Sequence, residues 1–206
     1  MTISYPLSLP STRFAPGTGI RARSGAAVSE SPFTGEQQVY VQQLEVWSAQ
    51  LVLPPMTRAD AEAWIAFLLA LNGREGTFLF GDPRNTTPQG TWAGSSPLVK
   101  GGSQTGKTLA IDGLSAGATV KAGDWFQLGS GASSRLHKVT QDATANGSGE
   151  VTLDCWPRLR ASPADNAALT IASPKGVFRL ASNDLGWDFQ PAQFYDGISF
   201  AAVEAL

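Results

Sequence analysis

The sequence predicts a mainly β protein: a β-barrel or sandwich domain with one α-helix at about residues 57–72, interrupted by an inserted small antiparallel β-barrel module. Three observations predict it. Only one segment of the 206 residues combines a cap, a three-and-four apolar spacing and a glycine exit. Residues 84–175 read as short apolar runs parted by Gly, Ser, Asn and Asp, the texture of a small barrel or sandwich. Aromatic strand texture stands on both sides of that stretch, before residue 83 and after residue 176.

Residues 1–35 hold little periodicity. Pro6, Pro10, Pro16 and Pro32, with scattered Gly and Ser, predict an extended arm. It carries Tyr5, Leu7, Leu9, Phe14, Ile20 and Phe33, groups costly to leave in water at ~25 cal/mol per Å². A neighbouring subunit is the expected place to bury them, and the arm's own domain is the alternative. Gln37 to Leu53 then reads as strand, because Trp47, Ala49, Leu51 and Leu53 alternate with Ser48 and Gln50. Pro54 and Pro55 cannot continue a ladder and end it.

Thr57 is a good N-cap for the helix, and Asp60 stands where a capping-box acid reaches back. Ala61, Trp64, Ile65, Leu68 and Leu69 recur on one helical face. Asn72-Gly73 supplies a left-handed exit, and Gly76 releases the chain into the strand Thr77–Phe80. Within residues 84–175 the expected strands are Thr108–Ile111, Trp125–Leu128, Arg135–Thr140, Glu150–Cys155 and Ala168–Ala172. Turn signals stand at Gly123-Asp124, Asn146-Gly147 and Gly149. Val177–Leu180, Trp187–Phe189 and Gly197–Val203 complete the set. The expected organisation is a split β domain, residues 1–83 plus 176–206, with residues 84–175 inserted. Trp64, Leu68, Phe78, Phe80 and Phe178 are its expected shared core, and Trp47 joins them as a core or assembly residue.

Charged residues make up only 16% of the chain, under the ~25% of ordinary soluble domains, with Gly (22) and Pro (13) frequent. Such a surface suits a protein largely covered by other subunits, or simply a turn-rich β domain. The net charge of −2 carries no electrostatic footprint for nucleic acid or an anionic membrane. Cys155 is the one cysteine, so no intrachain disulfide forms, and its strand context predicts a buried structural thiol. Met1–Pro6 lacks the pattern of a signal peptide, and the longest apolar run, Ala63–Leu71, is too short to span a bilayer. A soluble protein made in a cytoplasm is expected.

Two motif matches lack their context. Gly101, Gly106, Lys107 and Thr108 satisfy the phosphate-loop pattern, which works only between a buried parallel strand and a helix. Pro97 precedes it, and Gly113, Ser115 and Gly117 would break a following helix, so the segment reads as a turn before a β-strand. Gly113-Leu114-Ser115-Ala116-Gly117 fits the nucleophile-elbow pattern and again lacks a helix. His137 is the one histidine and cannot close a zinc site with one cysteine. Carboxylates such as Asp60, Glu62, Asp112, Asp124, Asp154 and Asp165 are scattered. No cofactor, no metal and no enzymatic activity are expected. Trp92, Trp125, Phe126 and Trp156 are the remaining candidates, as a sugar-stacking platform or as β-core residues.

The run Gln43 to Asp82 resembles the N-terminal belt domain of distal tail proteins and related minor tail proteins of long-tailed, siphovirus-like bacteriophages. The residues that carry the likeness are Trp47–Leu53, Ala59–Trp64 with Phe67-Leu68, and Gly73–Phe80. The insert is similar to small β modules of phage tails through Lys121–Phe126, Val139-Thr140, Gly147–Gly149 and Leu153. The resemblance implies a belt-like domain and a homo-oligomeric ring, six-fold in that family, at the distal end of the tail. The implied partners are the tail tube protein, the hub and tape-measure proteins, and the receptor-binding parts or tail fibres. The implied location is the virion tail tip, or baseplate, after synthesis in the host cytoplasm. The alternative expectation is a carbohydrate-binding β module that attaches to host-surface glycans.

Overall fold

The computed structural model describes residues 3–189 and 194–206. Met1 and Thr2 of the expected arm, and residues 190–193 of the expected second half, lie outside the described residues. The protein is mainly β, with 39% strand and 8% helix, and the one α-helix among the described residues, Arg58–Ala70, covers a sheet rather than forming a layer of its own.

A six-stranded sheet gathers strands from both ends of the chain. Its spatial order is Leu7–Ser8, Phe78–Phe80, Gly176–Leu180, Ser199–Glu204, Gln37–Val52 and Gly19–Glu30. Leu7–Ser8 pairs parallel with Phe78–Leu79, and the other pairings are antiparallel. Phe178 lies directly opposite Phe78 on one side and Glu204 on the other. Trp64, Leu68, Phe78, Phe80, Phe178 and Trp47 are all buried in one cluster. Within it Phe80 meets Phe178 edge-on at 5.6 Å, and Phe67 meets Phe78 at 5.7 Å.

The helix differs from expectation in two details. Its buried stripe is Ala61, Trp64, Ile65, Phe67 and Leu68, while Leu69 is 61% exposed. The sheet lies toward the Trp64–Phe67 side, so the stripe shifts by part of a turn and Leu69 rotates into solvent. The capping box does not form: Thr57 Oγ1 donates to Asp60 Oδ2 at 3.2 Å and makes no cap to a backbone N–H. The carboxylate is the stronger acceptor and takes the hydroxyl proton. The exit runs through Asn72 (φ 48°) and Gly73 (φ 63°), where a Cβ on Gly73 would stand 2.7 Å from Asn183 Oδ1.

The N-terminal segment is not one arm, and this corrects the expectation for residues 1–35. Tyr5, Leu7, Leu9, Phe14 and Ile20 pack against the protein's own core. Tyr5 donates its hydroxyl proton to the Ala70 carbonyl at 2.6 Å, satisfying one of the helix's last acceptors. Phe14 packs edge-on against Trp64 and Phe80. Gly19–Glu30 is then a twelve-residue strand. Its Arg, Ser, Gly and Ala residues show no buried face, so no hydrophobic period announces it.

Residues between the two halves build a second sheet, antiparallel throughout. Its order is Leu169–Thr170, Trp125–Leu128, Arg135–Val139, Val151–Trp156, Thr108–Asp112 and Leu98–Val99. A bridge between Leu98 and Ala168 joins the two edges, so the sheet nearly closes into a barrel. Its interior holds Trp92, Leu109, Ile111, Val120, Phe126 and Leu153. At the junction with the first sheet, Gly81 approaches Pro174 so closely that a Cβ would stand 2.0 Å from the carbonyl oxygen.

Candidate functional site

The phosphate-loop residues form a hairpin connection. Gly101 to Lys107 joins Leu98–Val99 to the adjacent antiparallel strand Thr108–Asp112, which Thr108 opens. The turn encloses a side chain: Gln104 Nε2 donates to the carbonyls of Lys100, Gly101 and Ala110, and Gln104 Oε1 accepts the Ala110 N–H at 2.6 Å. Gly106 adopts φ 85°, and the Lys107 ammonium lies 2.5 Å from Glu45 Oε1. In the other match, Leu114 is buried and Ala118 N–H closes a turn on the Ser115 carbonyl.

The expected sugar platform is not on the surface. Trp92 and Phe126 are 0% exposed and Trp125 is 5% exposed, while Trp156 is half-buried edge-on against Trp47. Stacking a sugar needs an open aromatic face, and the small barrel consumes these rings to fill its interior and its junction. Trp92 Nε1 donates to Asp124 Oδ2 at 2.8 Å. Asp124 also accepts the backbone N–H groups of Gln89, Gly90 and Lys121, so this buried carboxylate ties residues 89–92 to the barrel. The Gly123-Asp124 turn signal does not reveal that role.

His137 is buried, stacks on Phe126 with 5.3 Å between centroids, and donates from Nδ1 to the Pro157 carbonyl at 2.8 Å. Burial lowers its pKa to about 4, so the ring is neutral at pH 7. Burial, with Asp154 nearby, pushes the Cys155 thiol up to about 12, far from a thiolate nucleophile. Among the described residues no three His, Cys, Asp or Glu side chains gather where a metal ion could bind.

Ionic groups seam the two sheets. Glu45 accepts from Lys107 and from the Arg158 N–H at 2.8 Å. Burial alone would raise its pKa, and these two donors outweigh that and hold the carboxyl below its ordinary value. Arg160 Nη2 lies 2.8 Å from Glu204 Oε2, which also accepts the Trp47 backbone N–H. Trp47 Nε1 donates across the seam to the Leu136 carbonyl at 2.9 Å.

A large surface feature without an evident structural use is a β-ribbon. Gly19–Glu30 and Gln37–Val52 pair antiparallel down to Glu30 opposite Gln37, closed by a loop over residues 31–36. The strand Ser199–Glu204 pairs alongside Gln37–Val52 only as far as Val203 opposite Ser48. At Gly25 the register shifts, and beyond it no third strand pairs with either edge among the described residues. A bulge of this kind bends a strand and re-aims the residues beyond it. Residues 37–44 are all exposed. Pairing puts Val28 beside Val39 and Ala26 beside Val41, so one face of the ribbon is aliphatic, with Tyr40 on the other. At the tip Phe33 is 95% exposed, and Val41 is 84% exposed.

Half of this ribbon is legible in the sequence, since Gln37 to Leu53 reads as strand; the other half, Gly19–Glu30, has no buried face and so no alternation to announce it. The signal that could have found it is the turn chemistry of Ser31-Pro32-Phe33-Thr34-Gly35, with Gly35 at φ 71°. Comparison with protein-family models and with curated proteins finds no match.

Proposed function

We propose that this chain is a structural protein of a bacteriophage tail tip that assembles into a homo-oligomeric ring. By the resemblance of its sequence the ring would hold six copies. It would join the tail tube protein to the hub and tape-measure proteins and to the receptor-binding parts of the virion. The role is mechanical rather than catalytic.

The observation that carries this reading is the ribbon. An aliphatic face, two free strand edges and an exposed aromatic tip are costly on an isolated protein and are what a protein interface uses. A chain with 16% charged residues adds support, since it has little polar surface to keep such a patch soluble.

The test is excision of residues 26–41 with a short turn in their place, leaving residues 3–24 on the core they pack against. Mass in solution and electron microscopy of complemented tails are read. The wild-type chain is expected to form rings and the excised chain a folded monomer that does not join tubes. A wild-type chain that stays monomeric, alone and with the tube protein, would refute the reading.

A further inference from the structure

Elsewhere on the molecule lies a cavity whose chemistry complements the ribbon tip, and this inference rests on the ring reading above. A cavity of about 620 Å³ opens between the barrel and the chain end, walled by Leu128, Arg135, His137, Arg160, Pro163 and Leu206. Its volume falls within the ~300–1,000 Å³ of pockets that bury a drug-sized ligand, ample room for a phenyl ring. Small residues complete its lining: Ala161, Ala164 and Ala167, with Gly129, Ser133 and Ser162. No Asp or Glu side chain lines it. Arg160 is already paired with Glu204, whereas Arg135 has no carboxylate ion pair among the described residues.

The ribbon offers the complement. Between Ser24 and Leu44 its charges are Glu30 and Glu36, with no Lys or Arg, and they bracket Phe33. Phe33 is 95% exposed, so it does not occupy the cavity of its own chain. We propose that Phe33 of one copy inserts into this cavity on a second copy, with Glu30 or Glu36 facing Arg135 at the rim. An aromatic anchor in an apolar pocket with a rim ion pair is the arrangement that concentrates binding energy at protein interfaces. The contact joins two different patches, so it is head-to-tail, and such contacts propagate into a closed ring when the rotation between copies permits.

The test uses the full chain. Thr34→Cys and Ala164→Cys variants, both keeping Phe33, are prepared separately, mixed, oxidised and digested, and the linked peptides are identified by mass spectrometry. Buried Cys155, its thiol pushed up to about 12, stays silent. The expected result is a 34–164 cross-link between copies. Phe33→Asp and the pocket-filling Ala164→Trp should each weaken self-association at least tenfold, with thermal unfolding unchanged for the exposed Phe33→Asp. Rings that form with no 34–164 link and tolerate both substitutions overturn this inference and leave the ring reading standing. Links between two copies of position 34 assign the ribbon to self-pairing and also overturn it. A chain that never self-associates, alone or on tubes, overturns both.

Discussion

Replacement of Trp47 should reveal how firmly the two sheets are joined. Trp47 is 5% exposed and comes from the long strand of the first sheet. Its ring centroid lies 4.8 Å from that of Trp125 and 4.2 Å from that of Trp156, and its Nε1–H reaches the Leu136 carbonyl. All three partners belong to the barrel. Trp47→Ala removes the ring and leaves a cavity against two indoles, a loss of about 3–5 kcal/mol. Trp47→Phe keeps most of the aromatic body but deletes the donor, and a buried carbonyl losing its partner costs about 1–3 kcal/mol. With a urea slope of about 2.5 kcal/mol per M, a loss of about 4 kcal/mol moves the midpoint down by about 1.6 M, and about 2 kcal/mol moves it by about 0.8 M. Urea titration followed by far-ultraviolet circular dichroism measures both without depending on the replaced indole. The two variants must separate in that order. A Trp47→Ala midpoint within about 0.3 M of wild type, or equal shifts for both variants, would refute the idea that this ring anchors the sheets.

Acid should weaken the fold in two stages: His137 is held to about 4 when folded against an ordinary 6.5, so the unfolded chain takes up its proton first. Stability is complete above about pH 6.5 and falls by up to about 3 kcal/mol as pH drops toward 4; Glu45, held below its ordinary value, adds a loss beneath about pH 4.5. Denaturant titrations of His137→Phe should lose the upper slope and keep the lower one. Gly81→Ala places a methyl 2.0 Å from the Pro174 carbonyl oxygen, and a loss of about 1–3 kcal/mol is expected; an unchanged melting temperature would show that the junction yields easily. Calorimetry with ATP and Mg²⁺ should give no micromolar binding, because Gln104 fills the Gly101–Thr108 turn; saturable heat abolished by Lys107→Ala would contradict this.

Local chemistry determined much of the architecture. Alternation of Trp47, Ala49, Leu51 and Leu53, the proline stop, the helix and the Phe78–Phe80 strand are each set by residues within a few positions of one another, so each is legible in the sequence. The mainly β class with one helix follows from them. Tertiary structure decided what periodicity cannot carry. A strand with solvent on both faces, such as Gly19–Glu30, has no buried side to impose a period of two, so the ribbon is visible only through its partner strand. The direction in which an aromatic ring points is likewise a packing outcome: Trp92, Trp125 and Phe126 could have faced a sugar, but Trp92 and Phe126 fill the barrel interior and Trp125 packs against Trp47 at the junction of the two sheets. Asp124 reads as a turn residue until the fold brings Gln89, Gly90 and Trp92 onto its carboxylate from more than thirty positions away. Sequence determined the elements that have a buried face, a cap or a stop, because short-range sterics and periodicity encode those. The fold alone decided which surfaces were left over, since exposure depends on every other element at once.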